Sequence, residues 1–375
     1  MTSQVPTRSG VPTAVERAAR IAAGRAAAAD TERALHPEVV EAIVEAGLAR
    51  HFVPAQWGGE AGSCGELLDS VAAIGESCTS AAWCASVLAG AARMGAYLPE
   101  AGQQELWAKG ADTKVVGALM PRGTATAAPG GWRLTGEWEF TSGADFADWA
   151  MVCALVPAGE HAEAWYFAVP RDAYEVADTW FNVGMRGTAS NTLVLDEVFV
   201  PEERAFLRSD MMTGNSVMSS AHCHTAPLRL LSGLIFGAPA LGAARGALRA
   251  WSAWSASAAP GAADGIPQER RLTAARVSGA VDAAGLLLER AARVADSGAA
   301  TPAEASRNPS DCAFAVHQLV DSVEQLFRSA GSRGQLESQP LQRIWRDVHC
   351  LASHAALRFD APGAAYGGHL LTAVR

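Results

Sequence analysis

Residues 130–149 read GGWRLTGEWEFTSGADFADW, and this stretch decides how the rest of the chain is read. Trp132, Leu134, Gly136, Trp138 and Phe140 alternate with Arg133, Thr135, Glu137 and Glu139. A period of two places one set on each face of a half-buried strand. Gly130-Gly131 supplies the turn before it, and Gly136 lets a second backbone or a ligand come close. The run closes on Thr141-Ser142-Gly143. Large aromatic walls beside small hydroxyls suit a flat ligand with a polar edge, because the ring stacks while its heteroatoms are hydrogen-bonded. An ordinary sheet end with a Thr-Ser turn has the same spacing, and spacing alone favours that plainer reading.

Outward from this strand, Lys114 to Val200 carries further strand-like runs, VVGALM, WAMVCALV, AWYFAV and NTLVLDEVFV, separated by Gly, Pro and Asp turns. Before them, Ala14–Thr31, the PEVVEAIVEAGL segment from Pro37, Gly65–Cys78, Ser80–Met94 and Pro99–Lys109 read as helices. The 80–94 segment is almost wholly small and apolar, so it is expected to be buried. After the strands come four long, Ala/Leu-rich amphipathic segments from Leu228 onward, the pattern of an up-and-down bundle. The expected division is α+β: a helical domain at 1–113, a β domain at 114–208 and a helical bundle at 209–375. Residues before about Ala14 are expected to fray, and Ala258–Pro267 to link two bundle helices. GAPALGAARG (237–246) lies within a helical pattern and reads as close helix packing.

Of the 375 residues, 49% are hydrophobic and 18% charged, enough apolar chain for a large buried core. A formal net charge of -9 leaves no basic stripe to neutralise phosphates, which argues against a nucleic-acid partner. The 7 cysteines are scattered and odd in number, the pattern of free thiols in a reducing compartment. No apolar run looks long enough to span a bilayer and the start lacks a secretory core, so a cytoplasmic location without membrane attachment is expected. His222-Cys223-His224 are too close in sequence and lack a second ligand cluster, so no metal site is expected.

The order of helices, strands and bundle, with several motifs in sequence, resembles the acyl-CoA dehydrogenase fold: an N-terminal helical domain, a central β-barrel or sandwich and a C-terminal four-helix bundle. The motifs are AGLARHFVPAQWGG (46–59), TSAAWCASV (79–87), GWRLTGEWEFTSGADFADW (131–149), DTWFNVGMRGTASNTLVLDEVFVP (178–201), RDVHCLASH (346–354) and YGGHLL (366–371). The closer likeness is to its oxygenase branch, the oxygenase components of two-component flavin-dependent monooxygenases. These are similar to 4-hydroxyphenylacetate hydroxylase and to hydroxylases of natural-product and antibiotic biosynthesis.

The resemblance implies FMNH2 or FADH2 supplied by a separate flavin reductase, O2, and hydroxylation of an aromatic or polycyclic metabolite through a flavin C4a-hydroperoxide. It also implies a homo-oligomer, a tetramer in the resembling family. It places Trp138, Phe140, Thr141 and Ser142 at the isoalloxazine, with the Ser142 hydroxyl as donor to N5. Trp180 with Arg186, Thr188 and Ser190 would form a loop against the ring or the phosphate-bearing tail, and Arg271 could reach a flavin phosphate across a subunit interface. Related enzymes commonly carry Gly where this chain has Ala189. Trp83, Val87, Arg93 and Met94 would wall the substrate pocket, and His224 its entrance.

On a helix, Arg346, His349 and Ser353 share one face while Asp347, Cys350 and His354 share another. The resemblance puts His349 on the flavin side as the foremost acid–base candidate, ahead of His354, with Asp347 a structural partner of Arg343. Two alternatives remain. An acyl-CoA dehydrogenase would need a glutamate base, yet Leu228–Trp254 contains no Glu or Asp and no Glu follows Glu337. A flavin-free scaffold could act as a binding protein, cyclase or dehydratase. Phenol-hydroxylating relatives also tend to hold a histidine where this chain has Ala91–Tyr97, which puts a simple phenol in doubt.

Overall fold

The computed structural model describes residues 12–159, 161–257 and 265–372. The expectations for the residues before Pro12, and for most of the 258–267 connection, lie outside that range. Five helices come first: α1 (Thr13–Glu32), α2 (Pro37–Glu45), α3 (Cys64–Gly75), α4 (Thr79–Gly95) and α5 (Glu100–Leu106). Seven strands follow: β1 (Val115–Ala128), β2 (Gly131–Thr141), β3 (Trp149–Ala158), β4 (His161–Pro170), β5 (Glu175–Ala177), β6 (Asn191–Pro201) and β7 (Ala205–Leu207). The chain then returns to helix with α6 (Arg208–Thr213), α7 (His222–Thr225), α8 (Leu228–Ser257), α9 (Gln268–Asp296), α10 (Pro302–Gly334), α11 (Pro340–Leu351) and α12 (Asp360–Thr372).

The strands form one sheet in the order β5-β6-β2-β1-β3-β4-β7. β1 and β3 run parallel, and the other neighbours are antiparallel. β2 therefore sits inside the sheet, between β6 and β1. A side chain at Gly136 would meet the Gly123 Cα of β1, so the close backbone approach expected there is made. The edge strands β5 and β7 have three residues each, too few for a period to show in the sequence.

β2 departs from strict alternation. Its register against β6 slips once between Leu134 and Gly136 and again between Trp138 and Thr141. Glu197 and Phe140 adopt left-handed backbone at these two slips. Such bulges re-aim the side chains that follow them.

α8 is the axis of the helical region, packed against α3, α4, α9, α10 and α11. By length and composition it could cross a membrane, which the sequence reading missed, but 89% of its most apolar stretch is buried inside the protein. It is a core helix. Its glycines let α3 approach: a methyl at Gly242 would lie 2.3 Å from the Ala72 carbonyl oxygen and one at Gly246 2.4 Å from that of Glu76. Capping boxes start two of the helices, Ser63/Glu66 on α3 and Thr301/Glu304 on α10. All seven cysteines are free thiols, six of them buried.

This packing separates two substitutions of one kind. Gly242→Ala forces α3 and α8 apart and is expected to cost about 2 kcal/mol or more. Gly279→Ala on α9 meets nothing within 4 Å, and should gain up to ~1 kcal/mol from helix propensity. Urea midpoints of the two variants check this.

Candidate active site

The second slip in β2 builds the site. Phe140 sits at φ 61, a conformation that costs a non-glycine residue ~1–2 kcal/mol. The strain turns its ring outward: Phe140 is 67% exposed and stands edge-on to Trp180, centroids 6.1 Å apart. Trp138 stays in the core, fully buried, with Nε1 donating to the Cys153 carbonyl at 2.6 Å. Thr141 also turns inward, its hydroxyl bonded to the Trp138 carbonyl at 3.0 Å. Of the expected aromatic wall only Phe140 is exposed; Trp138 and Thr141 are buried.

Beyond β2 a chain of polar groups crosses from α4 to the 178–190 loop. Trp83 Nε1 on α4 donates to Ser142 Oγ at 2.9 Å. Ser142 Oγ lies 2.7 Å from Ser190 Oγ, which lies 2.6 Å from Thr188 Oγ1. Thr188 donates to the Met185 carbonyl at 2.8 Å, and Trp180 Nε1 donates to the same oxygen at 2.9 Å. Asn191 Oδ1 accepts the backbone N–H groups of Thr179 and Trp180, both at 3.1 Å. Met185 and Ala189 bracket the short turn Arg186–Thr188 with left-handed backbone, φ 55 and 42. Trp83, Ser142, Thr188 and Ser190, expected at the site, are thus brought together.

α11 and α1 latch this loop. Asp347 is buried and accepts the Met185 N–H at 2.6 Å. That backbone group is its partner, rather than the expected Arg343, which acts on it only through charge. Burial pushes its carboxyl up to about 7, against the opposing pull of the Met185 N–H. Arg346 grips Asp30 through two nitrogens, at 2.7 and 3.1 Å, and donates to the Val183 carbonyl at 2.7 Å. Arg186, expected at the cofactor, spends Nε on the Asp30 carbonyl at 2.7 Å. A methyl at Gly184 would strike the Arg346 carbonyl oxygen at 2.2 Å, so the loop lies directly on α11.

The two candidate histidines lie in different surroundings. His349 faces α10, with Nε2 3.3 Å from Glu324 and its ring against Trp345. His354 lies against Phe236 (centroids 3.9 Å) and edge-on to Trp83 (5.7 Å). Burial lowers its pKa to about 4, so it is neutral near pH 7. Its Nδ1 accepts the Ala356 N–H at 3.2 Å, which leaves the proton on Nε2.

Three expected substrate residues lie buried in the interior. Arg93 is 1% exposed and clamps the carbonyls of Cys223 and Ala226, each at 2.5 Å. His224 is fully buried between Ser219 and the Phe52 carbonyl, both at 2.6 Å, and burial lowers its pKa to about 4. Met94 is core. Val87, one turn on from Trp83, keeps partial exposure. Arg271 lies exposed on the first turn of α9. Phe236 was missed by the sequence reading, since one apolar residue on an apolar helix carries no signal.

The fold is that of the acyl-CoA dehydrogenases: residues 234–359 match the family described as acyl-CoA dehydrogenase, C-terminal domain. The chain is 31% identical over 341 residues to the oxygenase component of FADH(2)-dependent resorcinol hydroxylase from Rhizobium sp. (strain MTP-10005), covering 85% of this chain and 83% of that one. The crystal structure of 3-HSA hydroxylase from Rhodococcus sp. RHA1 matches with a TM-score of 0.91 at 26% identity, over 97% of each chain. XiaF from Streptomyces sp., in complex with FADH2 and glycerol, matches at 0.89 and 25% identity, over 96% of this chain and 94% of that one. The chain belongs to the oxygenase components of flavin-dependent monooxygenases.

Two outcomes follow from the loop. Ala189→Gly relieves the left-handed strain and should stabilise the protein by ~0.5–1 kcal/mol, net of the added freedom of the unfolded chain, read as a rise in denaturation midpoint. Asp347 binds its proton more tightly folded than unfolded, so its contribution to stability is full below the ordinary carboxyl value of ~4 and is lost as pH rises toward the folded value of about 7. Across that window the wild type should lose stability relative to Asp347→Asn, in which an amide oxygen can still accept the Met185 N–H.

Proposed function

We propose that this chain hydroxylates an aromatic or polycyclic small molecule, using O2 and FADH2 or FMNH2 delivered by a separate reductase. The observation that carries the reading is the joint presentation, at the end of β2, of an exposed, strained Phe140 beside Trp180 and of the buried Ser142 hydroxyl. These residues fit a flavin, with aromatic surface for a ring and a hydroxyl for its polar edge. Phe140, Trp180 and Ser142 would hold it, and once bound it supplies the electrons that activate O2 for transfer of one oxygen atom to the substrate. The chain's own tasks are orientation and exclusion of water. Trp83 and Phe236 give the apolar wall, with Val87 beside Trp83 on α4. His354, neutral and with its proton on Nε2, offers a hydrogen bond to a substrate or transferred oxygen within that wall.

The dehydrogenase alternative lacks a base: α8 contains no Asp or Glu, and Asp347 is buried on the Met185 N–H. We assign the three domains to 1–113, 114–208 and 209–375. We further assign a cytoplasmic homotetramer joined through the C-terminal bundles, with Arg271 directed to a neighbour's flavin phosphate and a role in antibiotic biosynthesis. Support for the assembly comes from Leu272, Leu286 and Phe314, which expose 54%, 64% and 45% of their surface on α9 and α10.

Anaerobic titration with FADH2 and FMNH2, then rapid mixing with O2, tests the reading. Binding followed by reoxidation far slower than that of free flavin is expected. No binding, or reoxidation at the free rate, contradicts it. With substrate present, His354→Ala should slow product formation by ~10²-fold, the scale of a lost acid–base group. His349→Ala should leave it nearly unchanged.

A further inference from the structure

The hydrogen bonds around Ser142 have a direction. Each hydroxyl owns one proton, an indole N–H only donates and a carbonyl only accepts. The Met185 carbonyl oxygen takes the Thr188 proton. Thr188 Oγ1, its proton spent, must accept from Ser190, 2.6 Å away. Ser190 Oγ must then accept from Ser142, 2.7 Å away. At the other end the Trp83 N–H occupies one lone pair of Ser142. Ser142 is left with one lone pair and no proton to give.

We infer that Thr188 and Ser190, fixed by Trp83 and the Met185 carbonyl, are positioning residues that make Ser142 a hydrogen-bond acceptor and so select reduced over oxidised flavin. The inference rests on the flavin reading above. It reverses the donor role that the family resemblance implies for Ser142. Reduced flavin carries an N–H at N5 and can donate to the free lone pair, whereas oxidised flavin has a bare nitrogen there and would set two acceptors face to face. Leaving a buried polar group unpaired costs about 1–3 kcal/mol, so a discrimination of about tenfold or more is within reach of this one contact. The chain lies in the protein interior, where water cannot readily reverse a hydroxyl: Thr188, Ser190 and Ser142 are 1%, 5% and 9% exposed.

The experiment measures dissociation constants of oxidised and of dithionite-reduced FAD, anaerobically for the latter, on wild type and three variants. Ser190→Ala frees the Ser142 proton and should tighten oxidised FAD, so that the ratio of oxidised to reduced constants falls by about tenfold. Thr188→Val lets Ser190 turn its proton toward Ser142. Ser142 then becomes a donor, and the ratio should fall further, with reduced FAD weakened as oxidised FAD tightens. Thr188→Ser restores the hydroxyl and should return the wild-type ratio. A merely structural role would weaken both forms together and leave the ratio in place. An unchanged ratio in both Ser190→Ala and Thr188→Val, with both flavins bound, overturns the inference while the monooxygenase reading stands. Failure of the wild type to bind either form overturns that reading instead.

Discussion

A single backbone N–H, that of Met185, held by the buried Asp347 carboxylate, is the contact on which the site depends. It pins a residue in left-handed backbone at the start of the Arg186–Thr188 turn. The carbonyl of the same residue then faces the opposite way and gathers both the Trp180 indole and the Thr188 hydroxyl. Trp180 braces the exposed Phe140, and Thr188 begins the hydroxyl chain that ends at Trp83. Arg346 and Asp30 reinforce the latch from outside, so the loop is fixed by α1 and α11 as much as by its own strands. A carboxylate deprived of water in this way is costly, and its removal would leave a buried donor unmatched. Met185, one of the residues in left-handed backbone, is held there by this contact.

Much of the architecture was legible in the sequence because it follows from period and punctuation. The five longer strands, the buried character of α4 and the glycine-mediated packing of α8 all come from local patterns with one physical reading each. What escaped was non-local. A strict period of two puts Trp138 and Phe140 on one face, and only the extra residue in the ladder separates them. No property of Phe140 itself announces the bulge. Arg93 on an apolar helix reads as solvent-facing or substrate-facing, yet its acceptors are carbonyls 130 and 133 residues further along the chain.

The histidines show a different failure. Placing His349 and His354 at about 100° per residue assumes that one helix holds both. α11 ends at Leu351, and His354 has extended backbone at φ -61 and ψ 135, at the head of a separate short turn. The break swings His354 onto Phe236 and Trp83, while His349 stays on the helix and meets Glu324. The helix end decides which histidine of this segment packs beside Trp83. Phe140 on strained backbone, Trp180 held by Asn191 and the Met185 carbonyl, and Trp83 and Phe236 on helices are each fixed by their own packing or hydrogen bonds, the condition for a preorganised surface.

The most direct test of this account is the position of the ring, seen in a crystal of the protein grown anaerobically with FADH2. The isoalloxazine is expected against Phe140 and Trp180, with N5 within hydrogen-bonding distance of Ser142 Oγ and His354 on the far side of Trp83. An open cleft of about 530 Å³ beside the loop, lined by Leu35, Val40, Phe146 and Ala189 together with Glu41, Lys114 and Asp145, offers an alternative. A ring bound in that cleft, away from Ser142, would contradict the account.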